Sequence, residues 1–141
     1  MKRKLRVIVD TNVVISGIIS KSSYPAKIID AWLEGKFVPV ICKILQEEIN
    51  EVIRRSKIRK QKLGDPKDIK RILGILFNKS EKIKIRKVEL EIDIDEKDKF
   101  LFELALCSKA EVLVSGDEEI LRTSFSKIIL LSPKDFCARY L

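Results

Sequence analysis

Apolar residues fall along this chain in two rhythms. Short runs such as Val7-Ile8-Val9 and Val112-Leu113-Val114 carry no polar alternation, the mark of strands buried on both faces. Longer stretches repeat apolar positions every three or four residues, the period of a helix with one buried side. The pattern predicts strands at about 5–9, 37–41, 82–86, 111–115 and 127–131, and helices at about 12–19, 24–35, 43–55, 66–78, 97–109, 118–123 and 133–140. Asp65-Pro66 and Ser132-Pro133 each read as an N-cap followed by proline at the first helical position. Ile69, Ile72, Leu73 and Leu76 then give one apolar stripe. Strands alternating with helices imply the α/β class, with a parallel sheet covered on both faces. Ser56 to Gly64 is a charged connector, too short to separate domains, so residues 1–141 are expected to form one domain.

Composition narrows the chemistry. With 45% hydrophobic and 35% charged residues the chain reads as a soluble globular protein. No apolar stretch approaches the length of a bilayer, and the basic N-terminus lacks a signal-peptide core, so a cytoplasmic location without membrane contact is expected. Twenty-nine Lys and Arg against 21 Asp and Glu leave a formal charge of +8, which favours an anionic partner such as nucleic acid. The absence of histidine removes imidazole acid–base schemes and His-containing zinc sites. Cys42, Cys107 and Cys137 lack any C-x-x-C spacing and read as reduced packing residues. Trp32 and most of the six Phe lie in apolar surroundings and read as core.

Two of the predicted strands end on a carboxylate, Asp10 and Asp117. In a parallel sheet ligands gather beyond the carboxyl ends of the strands. Each site also has an ordinary reading: Asp10 or Asn12 as the cap of the helix that follows, and Asp117 as the cap of Glu118-Glu119-Ile120-Leu121. Glu48 is more telling. It lies between Ile44 and Val52 on the side of its helix that also carries Leu45, Ile49 and Ile53. A charge on a buried face is costly unless it is paired or coordinates a metal. Asp98 opens Lys99-Phe100-Leu101-Phe102 and shares a face with Leu101, Phe102 and Ala105, although a first-turn acid also suits the helix dipole. Four carboxylates converging above one sheet would repel one another unless a cation compensates or a proton is taken up. Mg²⁺ or Mn²⁺ meets that need, and its chemistry is activation of a water nucleophile beside a phosphodiester.

These residues make the chain resemble the PIN-domain ribonucleases. The resemblance is carried by Val9-Asp10-Thr11-Asn12 through Ser16-Gly17, the Glu48 helix followed by Glu51-Val52-Ile53-Arg54, Asp98-Lys99-Phe100 through Ala105, and Val114-Ser115-Gly116-Asp117 through Leu121. It spans nearly the whole chain and points to the subgroup of toxin components of toxin–antitoxin systems. It implies a three-layer α/β/α sandwich with a five-stranded parallel sheet of order 3-2-1-4-5. It also implies Asp10, Glu48, Asp98 and Asp117 as the catalytic, metal-binding acids, supported by Asn12, Ser115, Glu119 and Ser16. An antitoxin partner and a homodimer follow from the same resemblance. In place of the denser acidic run of relatives this chain has Asp95-Glu96-Lys97-Asp98, where Lys97 lowers the local negative charge.

Arg54, Arg55, Lys57, Arg59, Lys60 and Lys62 put six cations into nine residues. A solvated helix end accounts for them, and so does a track for an RNA backbone, with Lys82, Lys84, Arg86 and Lys87 as the second choice. A dehalogenase-type phosphatase would need an acid where Asn12 stands, and no glycine-rich phosphate loop is present. The open alternatives to a toxin nuclease are an RNA-processing nuclease without an antitoxin and a non-catalytic PIN-like module that binds RNA or protein.

Overall fold

The computed structural model describes residues 3–59 and 65–141. Its strands are β1 (Arg6–Val9), β2 (Val38–Ile41), β3 (Glu81–Lys82), β4 (Val112–Val114) and β5 (Ile129–Leu131). They form one sheet of order β3-β2-β1-β4-β5, and every pairing is parallel. The helices are α1 (Thr11–Ile19), α2 (Tyr24–Leu33), α3 (Lys43–Arg59), α4 (Pro66–Asn78), α5 (Lys99–Ser108), α6 (Glu118–Leu121) and α7 (Pro133–Tyr140). They flank the sheet as an α/β sandwich with the strand order that the motifs implied.

The uninterrupted apolar runs are the central strands. Val7, Ile8, Val9, Val112, Leu113 and Val114 are all buried, pressed between helices on both faces. Helix α2 packs on α1, α4 and α7. Trp32 of α2 donates from Nε1 to the Leu76 carbonyl of α4 at 3.1 Å, and the Phe136 ring of α7 meets Phe37 edge-on at 5.8 Å. Gly17 permits the α1–α2 approach, because a Cβ there would stand 2.7 Å from the Pro25 carbonyl oxygen and 2.5 Å from Ile29. From β3 the chain crosses back over β2 and β1 to reach β4, with α5 on the way.

Three expectations change. The predicted strand at 82–86 is only Glu81–Lys82. Its partner β2 ends at Ile41 and turns into α3 at Lys43, so the ladder stops once Ile83 has donated to the Ile41 carbonyl at 2.8 Å. The alternation beyond it is real but unladdered: Ile83, Ile85, Leu90, Ile92 and Ile94 press an extended segment onto the core. The connector expected from Ser56 begins instead as the last turn of α3, which runs to Arg59. The helix expected over 97–109 is a 3₁₀ turn at Glu96–Asp98 leading into α5, which stops where Lys109 takes a left-handed conformation at φ 59°. Among the described residues no helix is long and apolar enough to cross a membrane.

Candidate active site

The chain reverses its direction of travel across the sheet at β1 and β4, so the loops after these strands diverge and leave a crevice at their carboxyl ends. Asp10 is the first residue past β1. Its N–H donates to the Val114 carbonyl at 2.9 Å, which ties it to the end of β4. The side chain is 6% exposed. Oδ1 accepts from the Thr11 N–H at 2.8 Å and Oδ2 from the Ser115 hydroxyl at 2.7 Å, with Asn12 Nδ2 a further 3.5 Å away. Ser115 itself is fully buried, and its Oγ accepts from the Asp117 N–H at 3.0 Å. Asn12 reaches across the crevice, accepting from the Gly116 N–H at 3.1 Å. The two strand-end loops are thus joined by side chains of the first and last motifs.

An open cleft of about 430 Å³ lies above these loops, and Asp10, Glu48, Asp98 and Asp117 all line it. Asn12 and Ser16 share the lining, with Ile15 and Val52 as apolar walls. Glu48 is half-buried at the border of the α3 stripe: Leu45, Ile49 and Ile53 are buried, whereas Ile44 is 49% exposed. Placing Ile44 inside the buried stripe is therefore corrected, because that edge of α3 opens onto a groove. Asp10 and Asp117 also do the work of caps. Asp117 Oδ1 accepts from the Glu119 N–H at 2.9 Å, while Asp98 makes no side-chain cap bond although it precedes α5. Capping accounts for one oxygen of each strand-end acid and for none of Asp98.

Electrostatics sharpen the picture. Burial is the main cause that lifts the Asp10 carboxyl to about 6, opposed by the Ser115 and Thr11 hydrogen bonds and reinforced by Glu48 and Asp98. Burial likewise raises Asp98; Lys97 pulls it down, and Asp117, Asp95 and Glu48 push it up. Among the described residues no Lys or Arg lies within ion-pair distance of these four acids. Nor, among them, are three Asp, Glu or Cys side chains spaced to ligate one ion at once.

Residues 6–119 match the PIN domain family. The chain belongs to the PIN-domain family. The members of this family are generally nucleases, and they generally use divalent metals. This PIN domain is 32% identical over 120 residues to MJ1680 of Methanocaldococcus jannaschii, described as an uncharacterized protein, covering 85% of this chain and 76% of that one. Its fold is similar to VapBC2 from Rickettsia felis, solved bound to a DNA fragment from their promoter, with a TM-score of 0.62 and 16% identity over 91% of this chain and 98% of that one. PAE2754 from Pyrobaculum aerophilum is similar at a TM-score of 0.59 and 15% identity, over 96% and 89% of the two chains.

The remaining expected residues separate. Glu119 is exposed and lines a neighbouring pocket with Asp95 and Arg122, so it stands apart from the cleft. Asp95, in that same pocket, caps the 3₁₀ turn by accepting from the Lys97 N–H. Arg54 and Arg55 are exposed on α3, where both pair with Glu51. Lys60 and Lys62 lie outside the described residues, as do the side chains of Lys57 and Arg59. Sequence reasoning passed over Thr11, which is buried and donates its hydroxyl to Glu48 Oε1, linking the β1 acid to the α3 acid. A hydroxyl directly after a strand-end acid was the available signal. Lys97 was weighed only as a charge, yet it lines the cleft.

Proposed function

We propose that this PIN domain is a divalent-metal-dependent endoribonuclease whose acids are Asp10, Glu48, Asp98 and Asp117. One observation carries the reading: a buried strand-end carboxylate shares a cleft with three others, and among the described residues no cation is paired with any of them. The donors are all carboxylate and hydroxyl oxygens, which suit a hard dication and no soft one. When bound, Mg²⁺ or Mn²⁺ supplies an activated water and offsets charge on the phosphodiester. Ser115 and the Thr11 N–H hold the Asp10 carboxylate in place; the Thr11 hydroxyl holds Glu48. Asn12, fixed on the Gly116 N–H, and Ser16 complete the rim.

A chain without histidine has no imidazole to activate the ribose 2′-hydroxyl, so cleavage should leave 5′-phosphate and 3′-hydroxyl ends. The cation-rich Arg54–Lys62 stretch is the proposed backbone track, giving affinity that falls with salt. The motif resemblance and the likeness to the VapBC2 fold favour a toxin role with an antitoxin partner and a homodimeric state. Purified protein incubated with unpaired RNA and Mg²⁺ or Mn²⁺ should yield ends that a 5′-phosphate-dependent exonuclease accepts. Cleavage that survives excess chelator, or 2′,3′-cyclic phosphate ends, would overturn the mechanism.

A further inference from the structure

Beside the acid cleft lies a larger open groove of about 700 Å³, bounded by the start of α3, the extended 87–91 stretch and the start of α5. Lys97 lines both. Helix α3 also serves both, with Ile44 on the groove and Glu48, about one turn further on, in the cleft. Helix α5 does the same through Phe100 and the preceding Asp98. The groove is therefore a continuation of the proposed site, with the volume of a small-ligand pocket. Its walls expose apolar surface, Ile44 at 49% and Val88 at 38%, above a buried Phe100.

Its charge argues against a run of phosphates. Four glutamates line it against three lysines, and Lys99 is already paired with Glu96 at 2.8 Å. Lys97 stands at the junction with its side chain 77% exposed, 4.0 Å from Asp95. One phosphate can be held there, and the rest of the groove repels more. What suits apolar walls rimmed by carboxylates is a flat base whose edge donates hydrogens.

We propose that this groove seats the base of the nucleotide next to the scissile phosphate, with Lys97 on its phosphate, Ile44 and Val88 against its faces, and Glu89 and Glu91 accepting from its amino edge. The inference rests on the nuclease reading of the adjoining cleft. Carboxylates accept from the exocyclic amino groups of cytosine, adenine and guanine; uracil has no amino group, and its single N3–H sits between two carbonyl oxygens that a carboxylate repels. Phosphate contacts alone carry no such discrimination.

The test has a binding arm and a cleavage arm. Labelled oligo-A, oligo-C and oligo-U hexamers are titrated with Mg²⁺ into Asp10→Asn protein, so that turnover is not needed. The adenine and cytosine hexamers should bind at least about 5-fold tighter than the uracil one. Adding Ile44→Ala or Glu91→Gln should bring that ratio near one. Lys97→Gln should weaken all three and flatten the salt dependence, and Lys97→Arg should restore both. Ile75→Ala, on the exposed side of α4, should change nothing. In the cleavage arm, native protein cuts a random-sequence RNA pool, and uracil should be depleted at one position flanking the cut. Ile44→Ala should erase that depletion. In kinetics on a defined RNA, Lys97→Gln should raise KM more than it lowers kcat.

Equal affinity for the three hexamers, or a ratio indifferent to Ile44→Ala, overturns the proposal. Efficient cutting with no flanking bias overturns it while leaving the nuclease reading intact. Ile44-dependent base selectivity without any cutting does the reverse. An Arg-Leu repeat peptide that binds native protein but not Ile44→Ala, where RNA does not, assigns the groove to a protein partner and also overturns it.

Discussion

The two ends of the sheet carry the same kinds of acid in opposite circumstances. At the amino ends of the strands, the guanidinium of Arg6 forks onto Glu81 with two contacts of 2.8 Å and donates from Nε to the Ser108 carbonyl at 3.0 Å. Glu111 accepts from the Arg3 guanidinium and from the Arg6 N–H. The Arg6 hydrogen bond holds Glu81 below its ordinary range; Glu111, although burial pushes it up, is brought below by its two arginine partners. At the carboxyl ends Asp10 and Asp98 are raised, because burial and neighbouring carboxylates meet no paired cation among the described residues. The first arrangement is satisfied as it stands. The second is satisfied only when a proton or a cation arrives.

The sharpest way to break this contrast is to neutralise acids at both poles. Asp10→Asn, Glu48→Gln and Asp117→Asn should each reduce metal-dependent cleavage by about 1000-fold or more. Glu81→Gln and Glu111→Gln should leave cleavage per folded molecule unchanged. Gel-based turnover with circular dichroism on each variant separates lost chemistry from lost fold. An Asp10→Asn protein that cuts normally would reduce Asp10 to a helix cap.

The pH dependence of the metal-free protein comes next. The folded Asp10 carboxyl titrates at about 6 against an ordinary 3.8, so between these values the folded state holds a proton that the unfolded chain has released. Stability from this group is therefore fully present below about pH 4 and is lost as pH rises through 6, by up to about 3 kcal/mol. Urea denaturation of native and Asp10→Asn proteins from pH 4 to 7 should show a fall in the native protein that the variant lacks. Parallel curves would remove the burial argument.

Arg6→Met should produce a smaller change at the other pole, a loss of about 1–2 kcal/mol, chiefly from orphaning the carbonyl of buried Ser108, because the exposed Glu81 is rehydrated. Cleavage by the folded fraction should be unaffected, which thermal melts and turnover together would establish.

How far the sequence spoke for itself also differs between regions. The strands that place Asp10 and Asp117 were legible because Val7–Val9 and Val112–Val114 are apolar at every position, which only a doubly covered strand requires. The 82–86 expectation overshot because alternation reports a half-buried surface, and Ile85 has one beyond the point where β2 ends. Glu48 was legible from its buried neighbours on α3, yet Ile44 was not, because helical spacing alone cannot tell which edge of a stripe faces a groove. Thr11 and Lys97 escaped for a different reason. Their roles depend on residues 37 positions away in one case and on two clefts meeting in the other, neither of which a local pattern contains.

The central claim is that the carboxyl-end acids await a cation. Thermal denaturation of metal-stripped protein at neutral pH, with increasing Mg²⁺ or Mn²⁺, tests it without any substrate. The native midpoint should rise with ion concentration as binding to the folded state demands, about 3 °C for each kcal/mol gained. Asp10→Asn should begin higher and stay where it begins. A native midpoint indifferent to both ions, or an Asp10→Asn midpoint that climbs equally, would contradict the account.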